Sequence, residues 1–138
     1  MIILDSNVVS ELMSPRPEER LIAWLDRQVR SSIWTTSVNV FEIRFGLQIM
    51  PPGKRRDVYA RGFESFLQGI DHRIAPFDIE AAEHASALIA LRKLQGRPRE
   101  DRDTMIAGIV LAHRATLATR NISHFDDLSA PLIDPWAA

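Results

Sequence analysis

The chain has 138 residues, a net charge of −1 and no cysteine. These values exclude a disulfide framework, a zinc–thiolate site and a cysteine nucleophile, and they give no molecule-wide positive charge for non-specific nucleic-acid binding. With 46 % hydrophobic and 25 % charged residues, the chain reads as one domain, residues 1–138, with room for a real core.

In chain order, Ile2-Ile3-Leu4 reads as a buried strand, followed by a short helix from about Asn7. Ser14-Pro15-Arg16-Pro17 is a turn, and Pro17-Glu18-Glu19 opens a second helix with acids in its first turn. Residues 32–36 are rich in β-formers and give strand two. Residues 37–50 form a helix with apolar side chains nearly all round, which predicts burial. Pro51-Pro52-Gly53 ends it, and residues 54–69 form the next helix, with Val58, Phe63, Phe66 and Leu67 inward.

Residues 73–77 give a third strand, and Asp78 caps a helix running to about Leu94. A charged loop at 96–102 leads to an apolar helix at 103–114. Strand four is residues 116–119, and strand five is residues 131–133. Strands alternating with helices imply an α/β fold: a central parallel five-stranded sheet flanked by helices on both faces.

Four side chains stand out against this frame: Asp5, Glu42, Asp103 and Asn121. Each follows a strand directly, lies in the helix after one, or opens a helix beside one. In a parallel sheet such positions fall on the carboxyl edge, where ligands bind. Each also has an ordinary explanation. Asp5 could cap the next helix. Glu42 could complete a capping box with Asn39 or pair with Arg44 or Arg20. Asp103 could be an N-cap in competition with Asp101, and Asn121 could be a turn residue. Taken together, oxygen donors at one edge suit a hard cation such as Mg²⁺, which points to metal-assisted phosphate chemistry.

Other groups carry less. His72, His84, His113 and His124 are scattered and form no ligand pair, and Trp24, Trp34 and Trp136 read as core or interface. Lys54-Arg55-Arg56 reads as a solvated face. Arg97, Arg99 and Arg102 lead into Asp103 and are candidate RNA-phosphate contacts. No targeting segment is expected, because Asp5 interrupts the first apolar run with no basic stretch before it. The longest apolar stretch, 105–112, is too short to span a bilayer. A cytoplasmic protein without membrane contact is the expectation.

Five segments in this order resemble the PIN-domain toxins of the VapC type. They are Ile3-Leu4-Asp5-Ser6-Asn7-Val8-Val9-Ser10-Glu11-Leu12, residues 37–46 around Glu42, Asp103-Thr104-Met105-Ile106-Ala107-Gly108, Leu117-Ala118-Thr119-Arg120-Asn121 through His124-Phe125, and Ile133-Asp134-Pro135-Trp136. The resemblance runs from Met1 to about Trp136. It implies a single PIN-like domain and a Mg²⁺-dependent endoribonuclease toxin, with Mn²⁺ able to substitute. It further implies a tRNA or rRNA substrate, a cognate antitoxin that blocks the acidic pocket, and a homodimer.

By the same resemblance Asp5, Glu42 and Asp103 are metal ligands. Asn121 stands at or beside a fourth catalytic position that is often Asp, which weakens a second metal site. Ser6 and Asn7 support Asp5. Asp126 offers a replacement charge from a position that does not match. Candidate dimer residues lie around 47–50 and 63–67. Two other functions compete. A PIN fold without catalysis, kept for protein binding, draws on Asn121. A phosphoaspartate enzyme would want an acid where Asn7 stands and a well-placed lysine, and neither Lys54 nor Lys93 fits.

Overall fold

A computed structural model describes residues 1–138. Five short strands, all parallel, lie in the order β3-β2-β1-β4-β5: β1 (Ile2–Leu4), β2 (Ile33–Thr36), β3 (Ile74–Ala75), β4 (Thr116–Ala118) and β5 (Leu132–Ile133). The chain winds outward from β1 through β2 to β3, then returns to place β4 on the other side of β1. That reversal opens a crevice beyond the carboxyl ends of β1 and β4, the usual ligand position in open α/β sheets.

The two-residue period of the strands divides the core. Leu4 and Ala118 face one layer with α1 (Ser6–Leu12), α2 (Glu19–Asp26), α4 (Lys54–Gly69) and the inner side of α3 (Ser37–Ile49). Ile3 and Leu117 face the other with α5 (Ile79–Leu94) and α6 (Asp101–His113). Side chains buried on both faces explain why the strands read as unbroken apolar runs. Gly108 lets α6 press against α5, since a Cβ there would stand 2.5 Å from the Ala81 carbonyl.

Three expectations need correction. The α3 helix is not buried all round. Phe41, Phe45 and Ile49 form an exposed stripe at four-residue spacing, while Val38, Asn39, Ile43 and Leu47 turn inward. Composition showed an apolar helix, but only the placement of neighbouring helices decides which faces they cover. Second, Leu47, Phe63 and Leu67 belong to the core, so most of the candidate dimer residues are spent on folding. Third, α6 begins at Asp101, so Asp103 lies inside its first turn and is not its cap.

An ion pair with a buried guanidinium ties the α5–α6 layer to the loop after β4. Arg92 is 1 % exposed. Its Nε and Nη2 donate to Asp127 at 2.8 and 2.7 Å, and its Nη1 donates to the Thr104 hydroxyl at 2.8 Å. The Arg92 hydrogen bonds, helped by its charge, hold the Asp127 carboxyl below the ordinary value of 3.8.

Candidate metal centre

Asp5 ends β1 and begins α1, so one residue serves as cap and as candidate ligand. Its Oδ1 accepts from the Ser6 backbone N–H at 2.8 Å and from Asn39 Nδ2 at 3.1 Å. Its Oδ2 accepts from the Thr119 hydroxyl at 2.8 Å and from Asn7 Nδ2 at 3.3 Å. These donors come from the ends of β1 and β4 and from α3 after β2. The buried carboxylate is therefore fixed from three elements. The expected support by Ser6 and Asn7 is present, with Asn39 and Thr119 added.

Glu42 joins the same network. Ser6 Oγ donates to Glu42 Oε1 at 2.9 Å and accepts from Asn39 Nδ2 at 2.9 Å. The capping box with Asn39 does not form, because Thr36 caps α3 and takes the Asn39 backbone N–H at 3.1 Å. Neither does a pair with Arg44, which is tied to Glu64. Glu42 Oε2 instead lies 3.8 Å from Arg102 Nε. Asp103, on the first turn of α6, meets His124 Nδ1 at 3.1 Å.

The three acids feel one another. Burial pushes Glu42 above its ordinary 4.5, and the charges of Asp5 and Asp103 add to this against Ser6 and Arg102. Burial also pushes Asp103 above 3.8, with Asp5 and Glu100 adding and His124 opposing. As the side chains stand, no three Asp, Glu or His groups close on one point. Glu42 is held by Ser6 and Arg102, and Asp103 by His124. The donor set is nevertheless what a hard divalent cation takes: carboxylate oxygens whose charges repel one another.

The remaining candidates separate. The Asn121 side chain makes no hydrogen bond; only its backbone is engaged, with the N–H donating to Thr119 Oγ1 at 3.0 Å. Asp126 pairs with Arg99 at 3.1 Å and adds no charge to the cluster. Arg102 pairs with Glu100 at 3.0 Å, and Arg97 is exposed and unpaired. A cavity of about 640 Å³ between α1, α2 and α4 is lined by apolar side chains such as Leu12, Met13, Ile22 and Phe66 and carries one carboxylate, Asp26. That cavity lies apart from the acidic cluster, and the electrostatic coupling of the three carboxylates decides for the cluster. Thr119 and His124 escaped the sequence reading. A hydroxyl ending an otherwise apolar buried strand was the available signal for Thr119. Nothing local marked His124.

The PIN-domain family profile matches residues 2–130. The chain belongs to the PIN-domain family. This PIN domain is 36 % identical to the VapC ribonuclease Y4jK of Sinorhizobium fredii over 99 % of its own length and 98 % of that protein. It is 33 % identical to the toxin FitB of Neisseria gonorrhoeae, covering 99 % of both chains. The crystal structure of FitAcB from that organism superposes with a TM-score of 0.89, at 32 % identity and full coverage of both chains. VapBC-5 of Mycobacterium tuberculosis, a member of the VapBC family of toxin–antitoxin systems, shares the fold at a TM-score of 0.70 and 21 % identity, with 95 % of each chain covered. The PIN domain is accordingly of the VapC type, and the expected single α/β domain is the one observed. None of its helices is long and apolar enough to cross a membrane.

The raised acids set a pH dependence for the metal-free protein. Because Glu42 and Asp103 hold protons more tightly folded than unfolded, their ionisation weakens the fold as pH rises through the raised values; below the ordinary 4.5 and 3.8 the penalty is gone. Asp103→Asn should therefore raise the metal-free melting temperature at neutral pH, with the gain vanishing in acid. Thermal melts in EDTA across pH check this, and a variant less stable at neutral pH would contradict it.

Proposed function

We propose that this PIN domain is a Mg²⁺- or Mn²⁺-dependent endoribonuclease, the toxin of a type II toxin–antitoxin pair, acting in the cytoplasm as a homodimer and silenced by a cognate antitoxin. The observation that carries the reading is the single hydrogen-bonded frame of Asp5, Ser6, Asn39 and Glu42, beside an Asp103 whose carboxyl is pushed up by burial and by the charge of Asp5. The names of the VapC ribonuclease and the toxin among its relatives support it.

Asp5, Glu42 and Asp103 would hold the cation, which when bound supplies an activated water and countercharge for phosphodiester oxygens. The chain's own work is orientation. Thr119, Asn7 and Asn39 lock the Asp5 carboxylate, and Ser6 links its backbone N–H and hydroxyl to both Asp5 and Glu42. Arg102 and His124 lie against Glu42 and Asp103 and would have to release them for these carboxylates to hold a cation. The exposed Phe41, Phe45 and Ile49 stripe gives the homodimer an apolar face. The test is RNA incubated with EDTA-stripped protein, then with added Mg²⁺ or Mn²⁺. Cleavage that appears only with cation is expected, and cation-independent cleavage or none would overturn the reading.

One observation favours a binding module without catalysis: the Asn121 side chain brings neither charge nor a hydrogen bond to the cluster. On the enzymatic reading Asp5, Glu42 and Asp103 would hold one cation, and Asn121 would add no charge with which to hold a second. Asn121→Asp should then tighten the second site and lower the half-maximal cation concentration for cleavage roughly tenfold, because added carboxylate charge tunes affinity for hard cations. Calorimetry on both forms measures it. Two equally tight ions in the native protein, or no change on substitution, would leave Asn121 a turn residue.

A further inference from the structure

Arg120 follows Thr119 at the carboxyl end of β4, on the rim of the acidic cluster. Its backbone N–H donates to Asn7 Oδ1 at 3.1 Å, and Asn7 in turn donates to Asp5. The main chain of Arg120 is thus two hydrogen bonds from the candidate metal ligand. Its side chain is exposed, with the guanidinium 4.4 Å above the Trp136 ring. Stacking on an aromatic face holds the fork in place while leaving its N–H donors free at the edge.

Those donors have no acceptor. No carboxylate pairs with Arg120, whereas Arg99 and Arg102 nearby are committed to Asp126 and Glu100. Trp136 is 7 % exposed, and its Nε1 is the one buried side-chain polar atom in the protein without a hydrogen-bond partner. A buried donor left unpaired is a cost that folded proteins seldom carry without reason. The buried Nε1 cannot itself reach a ligand, so the accessible donors are those of the guanidinium, set beside a cluster that would otherwise repel a polyanion.

We propose that Arg120, seated on Trp136, grips a phosphate of the RNA strand on the β4 side of the acidic cluster. The proposal builds on the ribonuclease reading and adds a substrate-binding residue outside the three expected arginines. A planar fork held edge-outward matches two phosphate oxygens at once, and its charge offsets the repulsion between the strand and Asp5. Because the Arg120 side chain makes no hydrogen bond to the cluster, its truncation leaves the Asp5 network in place and uncovers only one face of Trp136.

The experiment is fluorescence anisotropy with a labelled single-stranded RNA of about twelve nucleotides, in Ca²⁺, across a salt series, for native protein, Arg120→Ala and Arg120→Lys. Arg120→Ala should bind about tenfold more weakly, as expected for loss of a charge-assisted pair. Its plot of log affinity against log salt should flatten by roughly 0.7, the value for one single-strand phosphate contact. Arg120→Lys should keep the slope while losing part of the affinity, and the melting temperature should stay within a few degrees of native in both variants, as expected for the loss of one exposed cation–aromatic contact. Equal affinity and slope for native protein and Arg120→Ala would overturn the proposal and leave the ribonuclease reading standing. Binding that depends on Arg120 in a protein that never cleaves RNA would uphold the proposal and sink that reading. Absence of RNA binding by the native protein would overturn both.

Discussion

Asp5→Asn should abolish cation-dependent RNA cleavage and also lower the melting temperature. The first effect follows from charge. Removing one carboxylate from a hard-cation site forfeits several kcal/mol of stabilisation of the transition state, a fall of at least about a thousandfold in rate. The second follows from hydrogen bonding. Four donors converge on Asp5: the Ser6 N–H, Asn39, Asn7 and the Thr119 hydroxyl. An asparagine amide can accept at only one of its two heads, so its NH₂ must face a donor. Leaving a buried donor unsatisfied costs about 1–3 kcal/mol, more than relief of repulsion from Glu42 and Asp103 offsets. Asp103 receives a single partner, His124, so Asp103→Asn should lose cleavage without losing stability. Cleavage assays and melts on the two variants separate these outcomes. Cleavage by Asp5→Asn at the native rate under matched Mg²⁺ would remove Asp5 from the site.

The largest loss of stability should come from a residue with no place in catalysis. Asp127→Ala leaves the Arg92 guanidinium buried with the Thr104 hydroxyl as its one remaining side-chain partner. Breaking a buried pair by removing one member costs about 3–5 kcal/mol. Water reaches the Asp127 side of the pair, whose side chain is 31 % exposed, which argues for the lower end and for a fall of roughly 10 °C. The pH dependence has the opposite sign to that of Glu42 and Asp103. Asp127 is held below its ordinary value of 3.8, so its contribution is complete above that value and is lost as pH falls through the depressed one. The variant should therefore differ most from native protein at neutral pH and least in strong acid. Thermal melts over pH measure this, and a melting temperature within two degrees or so of native would show that water readily replaces the pair.

The strands and helices were legible because their signals are local: apolar runs of three or four residues, prolines at 15 and 17, the Pro51-Pro52-Gly53 stop and the Asp78 cap. The placement of Asp5, Glu42 and Asp103 at one edge was legible because a parallel sheet puts all its carboxyl ends there, but their side chains do not close on one point. The bonds that finish the site were not legible, because they cross the chain. Thr119 reaches Asp5 over 114 positions, and Asn39 reaches it over 34. For the same reason Asn39 was read as a partner of Glu42, when its amide bridges Asp5 and Ser6. Exposure of Phe41, Phe45 and Ile49 was hidden because an apolar side chain carries no mark of whether another helix covers it. Arg120 and Trp136 lie 16 positions apart, and neither looks unusual until one is seen stacked on the other.

The most direct test of the account is a crystal of this PIN domain soaked in Mn²⁺ and measured for anomalous scattering. The expected result is a peak within bonding distance of the Asp5 and Asp103 carboxylates, with Glu42 bound directly or through water, and with Arg102 and His124 displaced from Glu42 and Asp103. A map with no peak there, or with its only peak elsewhere on the surface, would contradict a metal centre at this edge of the sheet and the ribonuclease mechanism built on it.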